Sequence, residues 1–174
     1  MSEEKTQPSI VELQARWDKI RIANLYDTLD KMGYPNQCLD LSIRPLFPHQ
    51  HLAGVAVTAR GGRYVPAEGD AEKYGKGGDY FQILRDAVFP GSVVVLETGG
   101  EPHTGKFGEM TSWGIRQGGA RGIVLDGHIR DLLGLEVIPD YTVCAKGTSP
   151  VESARRWTMN AVNVPIAMPG TLTS

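Results

Sequence analysis

A single α/β domain is the architecture this sequence predicts, and three features predict it. The chain has 174 residues and is 41% apolar, enough to bury one core and too short for two comfortable domains. Two short β-branched runs, Ser92-Val-Val-Val-Leu96 and Gly122-Ile-Val-Leu125, each lie between turn signals, as strands covered on both faces do. Between them, residues 108–117 read as a helix that stops at Gly118-Gly119. The three form a strand, crossover helix, strand unit, with parallel strands joined in the right-handed sense.

Taken in order, residues 1–33 are expected to hold two N-terminal helices. In the first, Ile10, Leu13, Trp17 and Ile20 recur at spacings of three and four behind Ser9, a natural N-cap. The second covers residues 24–32, where Leu25, Leu29 and Met32 form an apolar stripe. Asn24 with Asp27 resembles a capping arrangement, and Gly33 before Tyr34-Pro35 is a stop. The small, β-branched run over 52–59 predicts a buried strand. Residues 60–79, with six glycines and Pro66, read as a long surface loop of the kind that often carries function. A helix over 80–88 follows, with Phe81, Leu84 and Val88 on one face, and Pro90-Gly91 ends it before the 92–96 strand. Beyond the crossover unit, residues 141–145 and 161–168 predict two further strands.

Composition narrows the functional classes. A net charge of −2 leaves no broad cationic surface for a phosphate backbone, so nucleic acid is not an expected partner. The N-terminus is polar, and no apolar run approaches the roughly 20 residues of a membrane span, so no membrane partner is expected. Cys38 and Cys144 stand alone and far apart, which fits a reducing cytoplasm and two small buried hydrophobes.

The chemistry concentrates in Gly105-Lys-Phe-Gly-Glu-Met110 and in Gly122-Ile-Val-Leu-Asp-Gly-His-Ile-Arg-Asp131. Glu109 opens the crossover helix and Arg130-Asp131 follows the second strand, so all three fall at the carboxyl end of the sheet, where open α/β sheets bind ligands. A helix starting near Gly108 offers unpaired N–H groups to a small carboxylate. Arg130 can fork onto the same anion or onto an enolate oxygen. Asp131 is a hard oxygen ligand for Mg²⁺ or Mn²⁺, and Glu109 can hold a water on that metal. The same residues also read as a solvated pair after a strand and an acid that complements a helix dipole.

Weaker candidates have plainer readings. Lys106 and Lys146 suit a Schiff-base nucleophile in principle but are expected to be solvated amines. His49 and His51 share a face only on a strand and lack further metal ligands. His128 is expected to be structural or exposed. Gly75-Lys-Gly-Gly78 lacks the spacing of a phosphate loop. Arg155-Arg156-Trp157 reads as a surface face or subunit contact rather than a platform that stacks on a base.

Four segments together, Pro90-Gly-Ser-Val-Val-Val-Leu96, Gly108-Glu-Met110, the 122–131 run and Ala145-Lys-Gly-Thr-Ser-Pro150, resemble the family shared by 4-hydroxy-4-methyl-2-oxoglutarate aldolase and the regulator of ribonuclease activity A, over about residues 25–170. That resemblance implies one RraA-like domain over 1–174, with a swivelling, layered β/β/α arrangement. It implies a homotrimer or dimer of trimers. By match of motif, Asp131 ligates a divalent metal, Arg130 contacts substrate, and Gly108, Glu109, Met110 and Thr111 supply further substrate contacts. The activity implied is a class II pyruvate aldolase that also decarboxylates oxaloacetate, with Mg²⁺ or Mn²⁺ as cofactor and a small 2-oxo acid as substrate. Arg130, Asp131 and Glu109 are its expected catalytic residues. The family's other role is non-catalytic, inhibiting an RNA-degrading enzyme of the ribonuclease E type. Members usually continue past Gly170 with another strand pair, which can lend an acid to a neighbouring subunit's site, so that C-terminal segment is expected to be absent here.

Overall fold

The computed structural model describes residues 8–65 and 80–170. The described chain folds as a mixed α/β unit around one six-stranded sheet in the order β1-β6-β4-β3-β2-β8. These strands are β1 (Arg44–Pro45), β2 (Val55–Arg63), β3 (Ser92–Glu97), β4 (Gly122–Leu125), β6 (Thr142–Ala145) and β8 (Trp157–Val162). The central four, β2, β3, β4 and β6, are parallel, while β1 and β8 pair antiparallel at the edges. A two-stranded parallel sheet, β5 (His128–Ile129) with β7 (Gly147–Thr148), stands at the carboxyl end.

Strand alternation sends Val57, Ala59, Val94, Leu96, Ile123, Leu125, Val143 and Ala145 into one core cluster, all buried. That face is shared with buried residues of three helices: Leu84 of α3 (Tyr80–Ala87), Ile115 of α4 (Glu109–Gln117) and Leu135 of α5 (Leu132–Glu136). The alternate positions Val93, Val95, Val124 and Cys144 look the other way, onto a cavity of about 580 Å³. Ile10, Leu13 and Trp17 of α1 (Ile10–Trp17) and Leu25 of α2 (Ile22–Lys31) line the opposite side of that cavity.

The predicted crossover unit is present as β3, α4 and β4, with the two strands in parallel register from Val94↔Ile123 to Leu96↔Leu125. Ser9 caps α1 in a full capping box with Glu12. The α1 helix is then pinned by Asp18, which accepts two hydrogen bonds from the Arg121 guanidinium at 2.9 and 2.8 Å. The second helix starts earlier than expected, with Arg21 as an N-cap that makes no side-chain bond, so Asn24 and Asp27 do not cap it. Its stop is as predicted, since Gly33 has φ 86°.

Two strand expectations need correction. The 52–59 strand runs instead from Val55 to Arg63, because β8 pairs with its far end through a register shift at Arg60/Gly61. The 161–168 strand lies at Trp157–Val162, as the antiparallel partner of that extension. The short elements β1, β5, β7 and α5 carry too few residues for a periodic signal. Cys38 is exposed, contrary to expectation. Cys144 is partly buried, and burial pushes its thiol up to about 11.

Candidate functional site

Backbone pairing brings the two motifs together. Gly105 bridges His128 in the parallel sense. The Lys106 N–H donates to the His128 carbonyl at 2.9 Å, and the Arg130 N–H to the Phe107 carbonyl at 2.7 Å. Phe107, fully buried in the core, anchors this ladder. The chain leaving β4 therefore runs beside the approach to α4, and Arg130 and Asp131 arrive at that helix's first turn.

Three polar side chains each lie across a glycine. A β-carbon at Gly105 would come within 2.1 Å of Arg130 Cγ, one at Gly108 within 2.3 Å of Asp131 Oδ2, and one at Gly134 within 2.1 Å of Glu109 Oε2. Only residues without a side chain permit such approaches.

Asp131 has φ 57°, the left-handed region that Asp visits more readily than most residues. It stands at the N-cap position of α5, yet its carboxylate turns to α4, where Oδ2 accepts from the Glu109 N–H at 3.3 Å. The positive end of the α4 dipole favours a negative charge there. The Arg130 guanidinium lies between two acids, with Nε 3.9 Å from Asp131 Oδ1 and an Nη 4.0 Å from Glu152 Oε1. Both separations are too long for hydrogen bonds, and the buried Arg130 Nε–H has no acceptor. A buried, unpaired guanidinium donor is a ready contact for an anion. At Gly108, the N-cap of α4, the N–H donates to the Thr111 hydroxyl at 3.1 Å, and that hydroxyl donates back to the Gly108 carbonyl at 3.0 Å. The Met110 and Thr111 N–H groups are left without intrahelical acceptors.

Among the described residues, no three His, Cys, Asp or Glu side chains gather into a closed metal cage. The donor chemistry at Asp131 is one hard carboxylate, 45% exposed, open to water and to a ligand. That arrangement fits Mg²⁺ or Mn²⁺, which keep several waters and take one or two carboxylates, and does not fit a closed zinc site.

Lys106 is not a solvated amine. Its side chain is 0% exposed, and Nζ donates to Glu101 Oε2 at 2.6 Å and to the Thr104 carbonyl at 2.9 Å. Burial works to raise the Glu101 pKa, but hydrogen bonds from Lys106, from the Thr104 hydroxyl and from the His103 and Thr104 amides outweigh it and hold it at about 2. An ammonium so paired is a poor Schiff-base nucleophile. Lys146 is exposed, as expected. His128 is half-buried, and burial, followed by the charges of Lys106 and Lys146, lowers its pKa. His49 and His51 are exposed and lie outside any strand, so they share no strand face. Trp157 is buried, with its indole N–H donating to the Thr98 carbonyl at 3.0 Å, and offers no face to a base. The 75–78 glycine-lysine segment lies outside the described residues. Glu152, which the sequence reading missed, reaches Arg130 through its bridge to Gly105; nothing in its local sequence marks it.

A family model described as RraA-like, Aldolase/RraA, matches residues 22–173. Among solved structures, RraAS2 of Streptomyces coelicolor, described as an unusual member of the RNase ES inhibitor RraA family, superposes with TM-score 0.76 at 24% identity, covering 97% of this chain and 78% of its own. The RNA-processing inhibitor RraA of Thermus thermophilus gives TM-score 0.63 at 19% identity, covering 87% of this chain and 85% of its own. A protein described among novel cellulases from gut-associated microbes gives TM-score 0.83 at 21% identity, covering 99% of this chain and 73% of its own. At these identities the structures speak to the fold, while the family model spans most of the sequence. The chain belongs to the RraA-like family.

Proposed function

We propose that this protein is a divalent-metal-dependent pyruvate aldolase that cleaves 4-hydroxy-4-methyl-2-oxoglutarate-type acids and also decarboxylates oxaloacetate. The supporting observation is the meeting of the Asp131 carboxylate, the unpaired Arg130 Nε–H and the N-terminus of α4 beyond the carboxyl ends of the central strands. Mg²⁺ or Mn²⁺ held by Asp131 would supply Lewis-acid stabilisation of charge on the 2-oxo acid. The chain's own groups do the rest. The Met110 and Thr111 N–H groups receive the substrate carboxylate, and Arg130 lies over the oxygen where enolate charge develops. When the bond between C3 and C4 breaks, its electron pair stays on the pyruvate fragment as the enolate. The 4-hydroxyl oxygen becomes a carbonyl, and its proton passes to a water held by Glu109 or Asp131. Protonation at C3 completes pyruvate. Loss of carbon dioxide from oxaloacetate leaves the same enolate, so one site serves both reactions. A homotrimer or dimer of trimers is the proposed assembly, which sedimentation measures.

The decisive assay follows pyruvate through lactate dehydrogenase and NADH, with either substrate, in Mg²⁺ or Mn²⁺ and then in EDTA. Metal-dependent pyruvate release is expected, and its absence from both substrates overturns the proposal. Arg130→Ala is expected to lower turnover by about 10²–10³-fold, because it removes a donor aimed at developing charge. An unchanged rate removes Arg130 from the mechanism. The second reading, inhibition of an RNA-degrading enzyme, draws on the two structural neighbours described as such inhibitors. It predicts slowed ribonuclease E cleavage of RNA on adding this protein.

A further inference from the structure

A second concavity, of about 800 Å³, opens where the end of β2, the loop after β3 and the turn before β8 meet. Arg63, Arg155, Arg156 and His103 line it. The arginines sit at one end of one antiparallel pair, with Arg63 opposite Trp157 in register and the Tyr64 N–H donating to the Arg156 carbonyl at 2.8 Å. On a chain of net charge −2, this concentration of guanidinium groups is a local reversal of sign.

The one acid among the described lining residues does not cancel the charge of Arg63 and Arg156. Glu101 already accepts from Lys106, from the Thr104 hydroxyl and from two backbone amides, so its charge is spent inside the wall. Glu152, close by in sequence, directs its carboxylate toward Arg130. The frame is rigid. Trp157 is buried and bonded to Thr98, an Arg156 Nη bonds the Glu152 and Ala154 carbonyls at 3.3 and 3.4 Å, and Arg155 is held at φ 62°. Left-handed backbone at a residue with a β-carbon persists where its surroundings fix it, and such positions gather at ligand sites.

We propose that this concavity is a second anion site, taking a small organic molecule with two or more carboxylate or phosphate groups. Guanidinium forks match both oxyanions. The volume falls within the range of small-molecule pockets, and Val151 and Pro102 in its wall suit a carbon body. The concave shape and the net charge favour such a ligand over a polynucleotide. The site stands apart from the aldolase proposal and survives if that fails.

Isothermal titration of the full chain at low salt, with citrate and with inorganic pyrophosphate, tests it. Saturable binding of at least one is expected, and the tighter of the two identifies carboxylate or phosphate as the preferred group. Arg63→Gln with Arg156→Gln is expected to weaken binding at least ten-fold, while Arg130→Ala leaves it unchanged. Both arginines are exposed, so the double variant should keep its circular dichroism and melting temperature. Should it fail to fold, Arg63→Lys with Arg156→Lys keeps the charge, loses the fork and is expected to weaken binding several-fold. No saturable binding of either probe overturns the proposal. So does loss of binding in Arg130→Ala alone, or an RNA oligonucleotide that binds more tightly and depends on the same arginines. A changed sedimentation coefficient in the double variant with unchanged titration also overturns it, because the arginines then serve a contact between copies.

Discussion

A single β-carbon at Gly108 would stand 2.3 Å from Asp131 Oδ2, closer than any real contact, and Gly108 has φ −127°, an ordinary value for alanine. Gly108→Ala should therefore fold and displace the carboxylate. The expected result is a fall in pyruvate release of about 10²-fold with a raised metal requirement, since a misplacement near 1 Å costs that much. A metal titration beside a thermal melt checks both halves. Glu101 carries a different residue-scale prediction. Its pKa is about 2 in the folded chain against 4.5 for a free side chain, so its ionised form stabilises the fold fully above pH 4.5. That contribution is lost as pH falls from 4.5 through 2. Glu101→Gln should flatten the acid limb of stability against pH. At neutral pH it should cost about 3–5 kcal/mol, because the buried Lys106 charge loses its partner. Adding Lys106→Met should recover much of that loss, as read by urea unfolding at several pH values.

At the scale of elements, Asp131 ties two helices at once, standing at the start of α5 while binding the first turn of α4. Asp131→Asn keeps a residue tolerant of φ 57° and should chiefly weaken metal binding. Asp131→Ala should lose metal binding and, in addition, about 1–2 kcal/mol for the left-handed backbone. Comparing the two by metal titration and by melting separates ligand loss from strain. The long elements were legible because their periods are strong: β3, α4 and β4 follow from Val93 to Leu96, Ile115 and Ile123 to Leu125. That legibility placed Glu109, Arg130 and Asp131 together at the carboxyl end of the sheet. The pairing of residues 105–107 with 128–130 was not legible, because it rests on isolated bridges without a repeating pattern, and Glu152 entered the site unseen by the same route. Lys106 was misread for a related reason, since its partner Glu101 sits in an irregular loop whose path no local periodicity reveals.

Across the whole molecule, the two faces of the sheet differ. One is closed by α3, α4 and α5 over a fully buried core, and the other faces a cavity of about 580 Å³ beneath α1 and α2. Gln14 is the one buried residue of α1, and α2 has none. Few buried contacts make for cheap local opening. Hydrogen exchange should therefore show the amides of α1 and α2 exchanging well before those of β3 and β4, and equal protection would contradict this. No helix among the described residues is long and apolar enough to cross a membrane. The glycines under Arg130, Asp131 and Glu109 have a practical use at this scale. A methyl group at Gly108 alters no charge, so Gly108→Ala bears on the proposed catalytic site while leaving the electrostatics of the surface as they are. Cells carrying it, set beside cells that lack the protein, would separate the proposed catalytic role from the regulatory one, since only the first requires the Asp131 carboxylate in place.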